Sequence, residues 1–194
     1  EVWVFQAPDA NAFATWATKN SSLVAVSTGL LEKMNRDEIE GVIAHEMAHI
    51  LNGDMVTMSL LQWVLNTFVI FFARIIANLA DAALKKEGDG PSWIYYVVSI
   101  VMEIVLWLLA RIIAMWFSRY REYRADEGSA RFVGKEKMIA ALKSLQRMYE
   151  STPSDTESGK MAAFQISTKN KGGIMQLFSS HPALSQRIQN LEKI

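Results

Sequence analysis

The sequence predicts an α+β, mainly helical fold: a small three-stranded sheet, a metal-site helix, and an inserted two-helix transmembrane hairpin. Three observations carry this expectation. His45-Glu46-Met47-Ala48-His49 places two imidazoles four residues apart, one above the other on a helix. Two apolar blocks, Met55 to Ala80 and Ser92 to Ser118, are each long enough to cross a hydrocarbon layer of ~30 Å at ~1.5 Å per residue. Short strand-like runs precede both.

Val2–Phe5 reads as the first strand and Ala7-Pro8-Asp9-Ala10 as a turn. Asn11–Trp16 and Leu23–Val26 read as the second and third strands, parted by polar residues. Asn35 is a good N-cap, with Glu38 at the capping-box position, so a helix should start near Arg36. It should pass through His49 and stop at Gly53, with Ile39, Ile43, Met47 and Ile50 as its apolar stripe.

The first block holds a single charge, Arg74, and the second holds two, Glu103 and Arg111. Both are apolar on all faces and longer than ordinary core helices, which favours membrane spans over buried helices. Trp93, Tyr95, Tyr96 and Trp116 suit interfacial belts. The linker Asp81–Pro91 has only Lys85 and Lys86 as basic residues. Lys33 and Arg36 precede the first block, and Arg119, Arg121, Arg124, Arg131, Lys135 and Lys137 follow the second. By the positive-inside rule both flanks should lie in the cytoplasm. Arg74 and Glu103 fall at similar depth and are expected to pair between the spans, the alternative being that each faces a missing neighbouring helix.

Beyond the hairpin, Tyr120–Phe132 should be helical and Glu136–Tyr149 a second, amphipathic helix burying Met138, Ile139, Leu142, Leu145 and Met148. Glu150–Gly173 reads as a loop, broken by Met161–Ile166. Ile174–Phe178 and Leu184–Leu191 read as short helices. The expected division is 1–54, 55–118 (spans about 55–80 and 92–118) and 119–194.

Composition narrows the classes. Lys+Arg and Asp+Glu balance at 20 each, so no basic surplus points to nucleic acid. The chain has no Cys, hence neither a disulfide framework nor a cysteine metal site. It is 51% hydrophobic yet 21% charged, as expected when apolar residues are gathered into blocks. Glu1 stands where Met would begin a protein and no signal peptide is visible, so an N-terminal piece is expected to be missing.

His45 and His49 can grip one Zn²⁺, which needs a third protein ligand and an open position. A hairpin returns the chain to the side it left, so a downstream ligand can reach the histidines. Glu122 is the candidate, and Asp126, four residues on, is placed to orient His45 or His49. The alternative for Glu122 and Asp126 is a solvated helix laced with ion pairs to Arg119, Arg121 and Arg124.

His45-Glu46-Met47-Ala48-His49 together with Glu122-Tyr123-Arg124-Ala125-Asp126 resembles the gluzincin branch holding the bacterial HtpX membrane proteases and the CaaX-processing proteases. Asn11–Thr15, Ser27–Leu31, Asn52–Met55, Met115–Arg119 and His181-Pro182 are similar to the HtpX family specifically, over nearly the whole chain. Trp16 stands where that family often has Gly, and the family's N-terminal hydrophobic hairpin is absent. CaaX-processing enzymes have more spans, which argues against that branch.

The resemblance implies a zincin-like metalloprotease domain. One Zn²⁺ would be held by His45, His49 and Glu122, with Glu46 as general base. His181, or Arg187 after it, would stabilise the oxyanion. Asn11, Ala12, Phe13 and Ala14 are expected on an edge strand that receives extended peptide. The implied partners are the lipid bilayer and unfolded or damaged membrane proteins, and the implied location is the bacterial inner membrane with the site facing the cytoplasm. A site-specific maturation protease and a non-catalytic metal-bound scaffold are the alternatives. The intact Glu46 argues against the scaffold, since a structural zinc needs no base.

Overall fold

The computed structural model describes residues 1–18, 21–84, 90–151 and 181–194. The expectations for Glu150–Gly173, Met161–Ile166 and Ile174–Phe178 fall on residues outside these, except at the N-terminal edge of the first.

Three strands come first: β1 (Val2–Phe5), β2 (Ala12–Thr18) and β3 (Ser21–Ser27). The sheet order is β1-β3-β2, with β1 parallel and β2 antiparallel to β3. Val24, Ala25 and Val26 of the central strand are buried, whereas Val2, Trp3 and Val4 of β1 are exposed. A short helix, α1 (Thr28–Lys33), follows directly. The sequence reading ended a strand at this point. The Ser27 hydroxyl accepts from Leu30 N and starts the helix instead.

Helix α2 (Arg36–Asn52) carries both cap signals read from sequence. Asn35 and Glu38 form a reciprocal capping box, and Gly53 closes the helix at φ 68°, a left-handed position that suits glycine. Ile50 is buried and Ile39 packs on the core as expected, but Ile43 is only partly buried and smaller residues fill the rest of the inner face. Gly41, Val42, Ala44, His45 and Ala48 are buried, while Met47 is exposed. The reason is close helix packing through small residues. A Cβ at Gly41 would lie 2.8 Å from the Lys137 carbonyl, and one at Gly128 would lie 2.9 Å from the Ala48 Cβ.

The apolar blocks become α3 (Asp54–Leu84) and α4 (Trp93–Val133), which pack against each other as a hairpin. Only 11% of each apolar window is buried, so neither is the core helix of a soluble fold. Helix α4 does not break where the expected span ends. It runs 41 residues, from the hairpin turn through Glu122 to Val133. Between Trp93 and Tyr123 it contains neither Gly nor Pro to stop it. The expected Arg74–Glu103 pair does not form. Both side chains are exposed, and neither has a partner among the described residues.

Helix α5 (Lys135–Ser151) follows a break at Gly134, and α6 (Leu184–Glu192) lies against it. Met138, Leu142, Ile188 and Leu191 form one core cluster; Leu30, Met34, Val42 and Ala141 form another. The first joins α5 to α6, and the second packs α2 against α5 and the β2 end of the sheet.

Candidate metal centre

Helices α2 and α4 bring three donors together. His45 Nε2 and His49 Nε2 are 3.2 Å apart. Glu122 Oε2 lies 3.6 Å from His45 Nε2, and Oε1 lies 3.5 Å from His49 Nε2. Ligands at ~2.0–2.1 Å around a tetrahedral centre stand about 3.3–3.4 Å apart. The donor set and its spacing therefore fit one Zn²⁺, and no other described His/Asp/Glu cluster has this form.

Each histidine is oriented by a carboxylate on its far nitrogen. His45 Nδ1 is 3.0 Å from Asp126 Oδ1, and His49 Nδ1 is 2.6 Å from Asp54 Oδ2. With Nδ1–H donated in this way, both Nε2 atoms point inward. Asp126 is where its spacing from Glu122 suggested. Asp54 was missed. It reaches His49 because Gly53 turns the chain at the end of α2, placing Asp54 at the head of α3. An acid directly after a C-cap glycine was the available signal. Asp54 also accepts, at its carbonyl, from Arg121 (3.1 Å), which ties α3 to α4 below the site.

Arg187, on α6, is buried against the same cluster. It donates to Asp126 through Nε (2.8 Å) and a terminal nitrogen (2.6 Å), and its other nitrogen lies 3.2 Å from Glu122 Oε2. This fork holds both carboxylates of α4 in place. His181 sits at the mouth, with its Nδ1 3.4 Å from Glu122 Oε2 and its side chain 54% exposed. Pro182 beside it is buried.

Glu46 points into the same cleft. Burial pushes its carboxyl above the usual carboxylate range, against the pull of both histidines, while the Ala14 N–H hydrogen-bonds to it. Burial pushes the His49 imidazole down, but hydrogen bonds to Asp54 and Glu122 outweigh this and hold it up at about 9.

The cleft, about 210 Å³, is lined by Asn11 just before β2 and Ala12 of β2, by His45, Glu46 and Glu122, and by His181 and Arg187. β2 is a sheet edge. Asn11 O accepts from Ser27 N, so alternation turns the Ala14 amide away from β3, toward Glu46. Phe13 faces elsewhere, its ring 5.6 Å from that of Phe5.

The family model "Peptidase family M48" matches residues 1–194. The chain is 56% identical over 194 residues to "Protease HtpX" of Pasteurella multocida (strain Pm70), covering 100% of this chain and 66% of that protein. It is 57% identical over 192 residues to "Protease HtpX" of Mannheimia succiniciproducens, covering 99% and 66%. The chain thus spans just under two thirds of these relatives' length. The crystal structure of S. mikatae Ste24p shares the fold, with a TM-score of 0.65 at 21% identity over 98% of this chain and 44% of that one. With the match running from end to end, this chain belongs to peptidase family M48.

Proposed function

We propose that the chain is the catalytic portion of a zinc endopeptidase embedded in the bacterial inner membrane, which cleaves misfolded or damaged membrane proteins on the cytoplasmic side. The observation that carries this reading is Glu46. A half-buried carboxylate faces the same cleft as a three-donor set that leaves a fourth metal position open. A purely structural zinc would have four protein ligands and no use for such a group.

Zinc, when bound by His45, His49 and Glu122, supplies Lewis acidity to the scissile carbonyl and to water. The chain's own residues do the rest. Peptide backbone adds along the β2 edge at Ala12 and Ala14, whose amides point away from β3, the Ala14 amide now meeting Glu46, while the Asn11 backbone just before the strand is held by Ser27. Glu46 takes the proton of the attacking water and hands it to the leaving amine. A carboxyl raised by burial is suited to that exchange near neutral pH. His181, exposed at the mouth and able to turn, donates to the oxyanion as the carbonyl becomes tetrahedral. Arg187 is already committed to Asp126 and Glu122, so it acts by positioning them.

Substrate class follows from placement. His49 is five residues from Asp54, the head of a span, so the cleft lies close to the membrane surface and favours segments emerging from it. HtpX relatives, proteases by name, support the peptidase part of this reading.

The test uses the full-length protein in detergent, with a denatured membrane protein and a soluble unfolded protein as substrates. Glu46→Gln should keep zinc and lose turnover by about 100-fold or more, and chelation should abolish cleavage reversibly. Undiminished cleavage by Glu46→Gln would refute the enzyme reading. Cleavage of one defined site alone would refute the quality-control reading.

A further inference from the structure

Arg74 and Glu103 lie on opposite helices of the hairpin at similar depth. Asp81 of α3 accepts from Ser92, the N-cap of α4, across the turn. Arg74, seven residues from Asp81, and Glu103, eleven from Ser92, therefore lie about 10 and 16 Å below that contact, inside the apolar span and within reach of two long side chains.

They also share a face. Ala73 is fully buried between the helices, and Met102 is partly buried. Arg74 and Glu103 each follow by one residue, a rotation of about 100°. Because the helices are antiparallel, the two rotations turn the side chains to the same side of the hairpin. Both are exposed there without a partner among the described residues. Exposed apolar side chains surround them, with Ile70 and Phe71 on α3 and Ile100 and Trp107 on α4. An unpaired charge facing lipid is strongly disfavoured, so this face demands a polar partner at that depth.

A second copy meets the demand because its Glu103 and Arg74 are complementary in charge to this chain's Arg74 and Glu103. We propose that this face docks a second copy of the same chain about a two-fold axis along the membrane normal, with Arg74 of each copy against Glu103 of the other. Rotation about that axis preserves depth. It sets α3 of one copy opposite α4 of the other, so both ion pairs form at once, as an isologous interface requires. The inference rests on α3 and α4 spanning the bilayer, not on the catalytic reading.

The full-length protein is reconstituted into liposomes at high dilution and its subunits are counted by single-molecule bleaching. The parent protein should give two per particle. Arg74→Glu alone and Glu103→Arg alone should each give one, since each places like charges opposite one another. Co-reconstituting the two single variants should restore pairs containing one of each, because both cross-contacts are again opposite in sign. The doubly swapped chain should also pair with itself. Zinc content and peptidase activity of the separated variants report that they remain folded. If a charge reversal fails that control, Arg74→Gln and Glu103→Gln replace it, and a dimer fraction unchanged by them would overturn the proposal. A monomeric parent protein, as expected if another helix of the same polypeptide covers the face, would also overturn it. So would a mixture of single variants that pairs no better than either alone.

Discussion

At the scale of single residues the site is a set of matched charges, and its proton inventory can be tested. His49 is held up at about 9 without metal, so at neutral pH its imidazole carries the proton that zinc must displace. Zinc binding at pH 7 should therefore release close to one proton. Apparent affinity should rise with pH between 6 and 8. Calorimetry in buffers of different ionisation heat measures this; heats that do not depend on the buffer would contradict it.

Glu46 makes the stability of the metal-free protein fall as pH rises. Its folded pKa is raised above the ordinary 4.5 by burial. Its contribution is thus fully present below the unfolded value and is lost as pH rises through the folded one. Metal-free Glu46→Gln should then melt above metal-free parent protein at pH 8, with the gap closing below pH 4.5. A gap that is constant with pH would mean that packing, not ionisation, separates the two. His45, Glu46 and His49 were legible because their spacing is local. Asp126 was legible for the same reason, four residues from Glu122. Asp54 was not, since a helix period cannot carry an argument across the left-handed turn at Gly53.

Among elements, the decisive contact is that of α2 with α4. Two donors ride on one helix and the third on the other, so their separation sets the donor triangle. Gly128 lets the helices close, because a Cβ there would lie 2.9 Å from the Ala48 Cβ. Gly128→Leu should push them apart, destabilising the fold by about 1–3 kcal/mol and weakening zinc binding. Gly128→Ala should do less of both. Wild-type zinc affinity in Gly128→Leu would show that the helices need not touch here. Asp54→Asn tests the orienting carboxylate, with an expected loss of about 10- to 100-fold in metal affinity, read by competition with a chromogenic chelator. The apolar stripe of α2 was partly misjudged from sequence for a related reason. Hydrophobicity named Ile43 and Met47, but helix approach is limited by size, and the small Gly41, Ala44 and Ala48 took the inner face.

For the molecule as a whole, the long-range step is the hairpin, which carries Glu122 back to His45 across 77 residues of sequence (122 − 45). Its existence was legible from length and apolarity alone. Its continuity was not, because charges after Ser118 read as an exit from the membrane, whereas the backbone continues as helix to Val133. That continuity makes α4 a rigid strut on which the span and the ligand share one axis. Donor convergence then requires both ends of the hairpin on one side of the lipid, and the Lys and Arg residues on the flanks are the ground for proposing the cytoplasm as that side. The chain has no Cys, so single cysteines can report on this without removing others within it. Lys33→Cys and Phe132→Cys lie at exposed positions before and after the hairpin, and Pro91→Cys lies at its exposed turn. In sealed inverted vesicles, an impermeant maleimide should label 33 and 132 from outside and spare 91; in right-side-out vesicles the pattern should reverse. Reversal of both patterns together would leave the metal centre intact and move it to the other face of the membrane. Labelling of 33 and 132 from opposite sides would separate Glu122 from the histidines by the thickness of the bilayer, and no metal centre of this kind could then form.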